Sequence, residues 1–113
     1  MQLGTLRDLL EAQVLCGQDR LEEDVSTVFA SDMMSDVLAC PDEIQCMLTG
    51  LMNSQVIRTA DMMDISVIVF VRGKMPSADV VEMACQRDVV VMVTPCRMFT
   101  ACGRLYGAGL GCR

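Results

Sequence analysis

Apolar positions along this chain follow two rhythms. Val56, Ile57, Ala60 and Met63 fall at helical spacing and make one apolar stripe, with Gln55, Arg58 and Asp61 off it. Immediately afterwards comes Ile65-Ser66-Val67-Ile68-Val69-Phe70-Val71, β-branched nearly throughout and without polar alternation. That is the pattern of a strand buried on both faces of a parallel sheet. Residues 46–76 therefore read as strand, Thr-Gly turn, helix and strand, which is a βαβ crossover. The layout recurs 24 residues on, where Val56, Ile57, Ala60, Asp64, Val67 and Val69 become Val80, Val81, Ala84, Asp88, Val91 and Val93. Two consecutive α–β units follow, and right-handed crossovers are expected for both.

The rest of the chain reads around that centre. Leu3, Leu6, Leu9 and Leu10 mark an amphipathic helix over 4–11, followed by a short strand over 13–16 that Gly17 ends. Residues 18–24 form a charged loop and 25–30 a second strand. Ser31 or Asp32 then caps a helix whose stripe is Met33, Met34, Val37 and Leu38. Cys40-Pro41-Asp42 is a turn before a strand over 44–48. After the central unit, 72–76 is a loop, Ser77 caps a helix through Arg87, and 89–93 is the last strand. Thr94-Pro95 has the arrangement of a helix start. Met98, Cys102, Leu105 and Tyr106 give the final helix its buried face, and Gly107, Gly109 and Gly111 end it in a frayed tail. The sum is one three-layer α/β domain over 1–113, with a four- to five-stranded, mainly parallel sheet and helices on both faces.

Size and composition narrow the function. A chain of 113 residues is long enough for one core without metal or disulfide staples. Its mean hydropathy of +0.39 is high, yet no apolar run approaches the roughly 18 residues of a membrane helix. The amphipathic start is not read as a signal peptide, so a cytoplasmic protein with no membrane association is expected. The apolar surplus points to a subunit interface, and a homodimer is expected. A net charge of −6, no basic block, one Tyr and no Trp argue against nucleic acid.

The absence of His removes the commonest general base and most zinc sites. Seven cysteines contain no Cys-x-x-Cys pair, and the count is odd. They read as reduced thiols filling the core, with no metal or other cofactor. The eleven methionines read as core filler too.

Candidate chemistry collects where strands hand over to helices. Ser31 and Asp32, Thr49, Gly50, Asn53 and Ser54, Arg72 and Gly73, and Thr94 all fall at such junctions. In a largely parallel sheet these share one rim, the usual binding edge of open α/β sheets. Free N–H groups at helix starts favour an anion, phosphate above all, and Arg58, Arg72 and Lys74 can offset its charge. Caps and turns need the same residue types, so an empty rim is the competing reading. No P-loop sequence occurs, and Gly107-x-Gly-x-Gly at the chain end follows a helix, so it is no dinucleotide fingerprint. Cys96 beside Arg97 is the best case for an enzyme, but no His can serve it, and the Cys-x5-Arg spacing fails because Cys102 stands there. Asp61, Asp64, Asp88 and Asp42-Glu43 show no acid–base pairing. No catalytic residue and no metal ligand is assigned.

The order of elements, with Val-Ser-Thr-Val-Phe-Ala-Ser-Asp-Met-Met-Ser-Asp-Val-Leu, Leu-Thr-Gly-Leu, Val-Ile-Arg-Thr-Ala, Val-Arg-Gly-Lys-Met-Pro and the closing Thr-Pro-x-x-Met-Phe-x-Ala-Cys-Gly-Arg-Leu, resembles the DRTGG-domain family over roughly residues 3–110. The likeness is greatest to short stand-alone members encoded near iron-only hydrogenase and anti-sigma-type kinase genes. It implies a fold similar to the N-terminal domain of HPr kinase. It also implies a non-catalytic regulatory or accessory module, since other members are fused to CBS domains in pyrophosphatases and to phosphotransacetylases. The implied ligand is small and anionic, of the adenine-nucleotide kind. The implied alternative is an interaction subunit for a hydrogenase or kinase partner. The name-giving loop is represented here by Leu48-Thr49-Gly50-Leu51-Met52-Asn53-Ser54, which keeps one glycine and the polar helix start, and Cys96 stands where such sequences tend to carry Tyr.

Overall fold

Val67–Phe70 lies in the middle of a single five-stranded sheet. The computed structural model describes residues 1–110. In chain order its strands are β1 (Gln13–Cys16), β2 (Val28–Ala30), β3 (Cys46–Thr49), β4 (Val67–Phe70) and β5 (Val90–Val93). Its helices are α1 (Leu3–Leu10), α2 (Met34–Leu38), α3 (Ser54–Met62), α4 (Ala78–Gln86) and α5 (Met98–Gly107). The strand order is β1-β5-β4-β3-β2, parallel from β2 to β5, with β1 antiparallel at one edge.

Every residue of β3, β4 and β5 is buried because the sheet is covered on both sides. Cys46, Leu48, Val67, Val69, Val90 and Met92 point into one core with Leu3, Leu6 and Leu10 of α1 and Ala101 and Leu105 of α5. Met47, Ile68, Phe70, Val91 and Val93 point into the other, against α2, α3 and α4. The period-2 geometry of strands sends alternate residues to opposite faces. Helix stripes on both sides then remove each apolar side chain from water, at about 25 cal/mol per Å².

The sequence repeat is present, with a one-residue slip. α3 and α4 both bury the equivalent pairs Val56/Val80 and Ala60/Ala84, and each is followed two residues on by an aspartate in the left-handed conformation, Asp64 at φ 55° and Asp88 at φ 56°. The ladder, however, pairs Val67 with Val90 and Val69 with Met92. Val67 and Val69 therefore face α1 and α5, while Val91 and Val93, their partners in the repeat, face α2–α4. A one-residue shift turns a strand over. It is tolerated here because both faces are apolar.

Four expectations need correction. The second strand is only three residues, because residues 25–27 bond elsewhere: Val25 N donates to Met1 O, and Ser26 N and Thr27 N donate to the Gln45 side chain. Ser31 and Asp32 do not cap α2; Met33 is the N-cap residue, and the Asp32 carboxylate is drawn to β3 instead. Thr94-Pro95 does not open the last helix, whose N-cap is Arg97, because Thr94 and Cys96 are held in a turn. Met33, Leu38 and Tyr106 are exposed, not on buried stripes. Gly111 and the expected frayed tail lie outside the described residues. Ser77 does cap α4, accepting a hydrogen bond from Val80 N.

Gly17 is required where β1 ends. Its φ is 89°, and a Cβ there would lie 2.7 Å from Cγ2 of Val90 in the neighbouring strand. Gly17→Ala meets both backbone strain and overpacking, and is expected to cost about 2–4 kcal/mol. Urea denaturation of the variant checks this; a loss under about 0.5 kcal/mol would show that the strand end is slack.

Candidate functional site

Because β2 to β5 run parallel, their C-terminal ends share one edge of the sheet. Ser31 follows β2, Thr49 closes β3, Arg72-Gly73 follow β4 by one residue, and Thr94 follows β5. Backbone bonds continue the ladder across this rim, from Ser31 N to Leu48 O, Val71 N to Thr49 O and Thr94 N to Phe70 O, each near 3.0 Å.

Gly50 is the centre of the rim. Oδ1 of Asp32 accepts from Gly50 N at 2.6 Å and from the Thr49 hydroxyl at 3.5 Å. The same hydroxyl accepts from Leu51 N at 3.1 Å, so the turn after β3 is held from two sides. Arg72 Nη2 donates to Gly50 O at 3.2 Å. A Cβ on Gly50 would collide with that guanidinium, which fills the space a side chain would take. Arg72 reaches this far because its own backbone is left-handed, at φ 72°. Its N donates to Cys96 O, and Gly73 N to Thr94 O, both at 2.8 Å. Asp32, Thr49, Gly50 and Arg72 thus form one connected group spanning β2, β3 and β4. Thr49 and Gly50 are buried, while the carboxylate and guanidinium residues on either side are exposed.

The remaining candidates are placed differently. Ser31 Oγ accepts from Met33 N at 3.0 Å, inside its own loop. Asn53 caps α3 through Gln55 N at 3.0 Å, and Ser54 Oγ accepts from Arg58 Nη2 at 2.6 Å. These two line an open groove of about 540 Å³ with Leu38, Arg58, Thr59 and Met62. Thr94 is wholly buried, donates to Leu10 O at 2.6 Å and accepts from Cys96 N at 3.1 Å. Its hydroxyl ties β5 to α1, which leaves it little to offer a ligand.

The cysteines correct one reading. Cys16 and Cys85 form a disulfide between the end of β1 and the last turn of α4, with Cα atoms 5.8 Å apart, so the thiols are not all reduced. Nothing local could reveal it, since the two are 69 residues apart and meet only because α4 packs over β1. Cys96 is buried with Sγ 3.8 Å from Leu10 O, and no basic side chain among the described residues bonds it. Cys46 is fully enclosed, and burial pushes its thiol up to about 12. No group of three or more acidic or cysteine side chains able to hold a metal occurs among the described residues.

No protein-family model matches the sequence, and no curated protein does. The fold does match a solved structure, that of the CBS and DRTGG domains of the regulatory region of Clostridium perfringens pyrophosphatase, complexed with its activator, diadenosine tetraphosphate. The TM-score is 0.79 at 18% identity, over 97% of this chain. The chain spans about half of that structure, 48% of its length. The match shows an α/β fold shared with part of that CBS and DRTGG region. No helix among the described residues is long and apolar enough to cross a membrane.

Two outcomes test this geometry. Asp32→Ala strips a charge-assisted bond from the buried Gly50 N–H and is expected to cost about 1–2 kcal/mol in urea denaturation, and Arg72→Ala, at an exposed side chain, under about 1 kcal/mol. Cys46 adds a pH dependence. Its folded value lies above its unfolded one, so its contribution is complete below pH 9 and is lost as pH rises towards 12. Wild-type stability should fall more steeply above pH 9 than that of Cys46→Ala, by at most roughly 1.4 kcal/mol per pH unit. Parallel slopes would show that Cys46 ionises without unfolding.

Proposed function

We propose that this chain is a non-catalytic regulatory or accessory module of the DRTGG type, whose 113 residues form one domain with a rim that takes a small anionic ligand of the adenine-nucleotide class. The observation that carries the reading is its fold match to a regulatory region crystallised with diadenosine tetraphosphate. The rim supports it chemically. Arg72 and the nearby Lys74 offer side-chain donors and positive charge beside the buried Thr49-Gly50 turn, Gly73 supplies the left-handed turn between them, and Asn53 and Ser54 open α3. Asp32 opposes an anion at Gly50, so the ligand engages the arginine side of that residue first. Thr94 supports the rim from beneath, and Ser31 holds the loop at its β2 side.

A second reading draws on the surface. Met33, Leu38, Met62, Phe99 and Tyr106 are large apolar side chains left exposed, which fits a homodimer or an interaction subunit serving a hydrogenase or kinase partner, as short DRTGG-like proteins would. The two readings differ in one measurement. A thermal-shift screen with adenine nucleotides, diadenosine tetraphosphate and inorganic phosphate should raise the melting point only if the rim binds. Stabilisation reaches about 2.7 kcal/mol at 100 times Kd, and Arg72→Ala should abolish the shift. A flat screen with every nucleotide removes the ligand reading and leaves the interaction reading. Light scattering then reports the dimer.

A further inference from the structure

The proposed ligand rim makes no use of the Cys16–Cys85 bond, which lies at the other end of the sheet. β1 is antiparallel to β5, and Cys16 pairs with Val91 while Gln13 pairs with Val93 beside the rim. We propose that this disulfide is a redox latch that fastens the edge strand β1 to α4 and opens by thiol–disulfide exchange.

Four observations carry the inference. The bond joins elements that neighbour each other only in space, so its loss frees both at once. Cys85 belongs to an exposed residue position at the end of α4, where a reductant can reach it. The ladder between β1 and β5 shifts register between Val14 and Cys16, so backbone pairing is interrupted beside the bond that holds the strand. β1 is also a sheet edge, with partly buried residues and no second strand to retain it. Such a segment sits at the low-stability end of the molecule once the crosslink is gone. The core strands β3 and β4, buried on both faces, are untouched.

The reaction balances with a dithiol reductant as co-reactant. One of its thiolates attacks the Cys85 sulfur, forming a mixed disulfide while the S–S bond to Cys16 breaks. Cys16 leaves as a thiolate and takes up a proton. The second thiol of the reductant then attacks its own sulfur in the mixed disulfide, releasing Cys85 as a thiol and the reductant as a cyclic disulfide. Reoxidation runs the exchange backwards, with an oxidised dithiol accepting the two electrons.

The test uses the full chain, prepared oxidised and reduced with dithiothreitol. Alkylation after denaturation, with peptide mapping, should show a linked pair at Cys16 and Cys85 in the oxidised sample and none after reduction. Hydrogen exchange should then rise in β1 and the end of α4 by roughly tenfold or more, with β3 and β4 unchanged. Oxidised dithiothreitol should reverse both effects. Cys85→Ser, which cannot form the bond, should exchange like the reduced protein under either condition. Full alkylation of both positions before reduction, a bond that resists dithiothreitol in the native protein, or equal exchange in the two forms would each overturn the latch. Nucleotide binding is not expected to follow the redox state, so a failed ligand screen and a failed latch are separate results.

Discussion

Burial of the three inner strands on both faces is the constraint on which the rest of the structure depends. A strand such as Val67–Phe70 has no solvent side, so each residue added to it needs a helix above or below. That requirement places α1 and α5 on one face and α2, α3 and α4 on the other. It also makes the strands parallel, because each helix must return the chain to the same end of the sheet. The rim follows. Once β2 to β5 run the same way, their polar junctions have one edge at which to gather.

The rim is built more from internal bonds than from open donors. Gly50 has its N–H taken by Asp32 and its carbonyl by Arg72, on opposite flanks of one buried residue. Gly50 and Arg72 are therefore a matched pair: the glycine makes the space, and the left-handed turn at Arg72 aims the guanidinium into it. Exchanging one set of these hydrogen bonds for another would alter the links between β2, β3 and β4 without disturbing the core beneath them.

Most of the architecture was legible in the sequence because strong periodicity and β-branched runs leave few alternatives. α3, β4, α4 and β5 fall within a residue or two of where the pattern puts them. What was illegible depended on long-range partners. Residues 25–27 have strand composition, but the Gln45 side chain captures their N–H groups. Thr94 looks like a cap and instead bonds Leu10, 84 residues away. The slip between β4 and β5 cannot be read from residues that are apolar on both sides. The rim positions were legible as junctions, while the joining of Asp32, Gly50 and Arg72 rests on a backbone conformation that no local rule assigns to an arginine.

Tyr106 has a consequence of another kind. It is the single tyrosine of a chain without tryptophan, and its ring stands 65% exposed on α5. Water surrounds it before and after unfolding, so ultraviolet emission barely distinguishes the two states. The fold is spectroscopically quiet: circular dichroism, which sees the backbone, reports its melting, and an optical reporter of the core has to be introduced at a buried aromatic position such as Phe70.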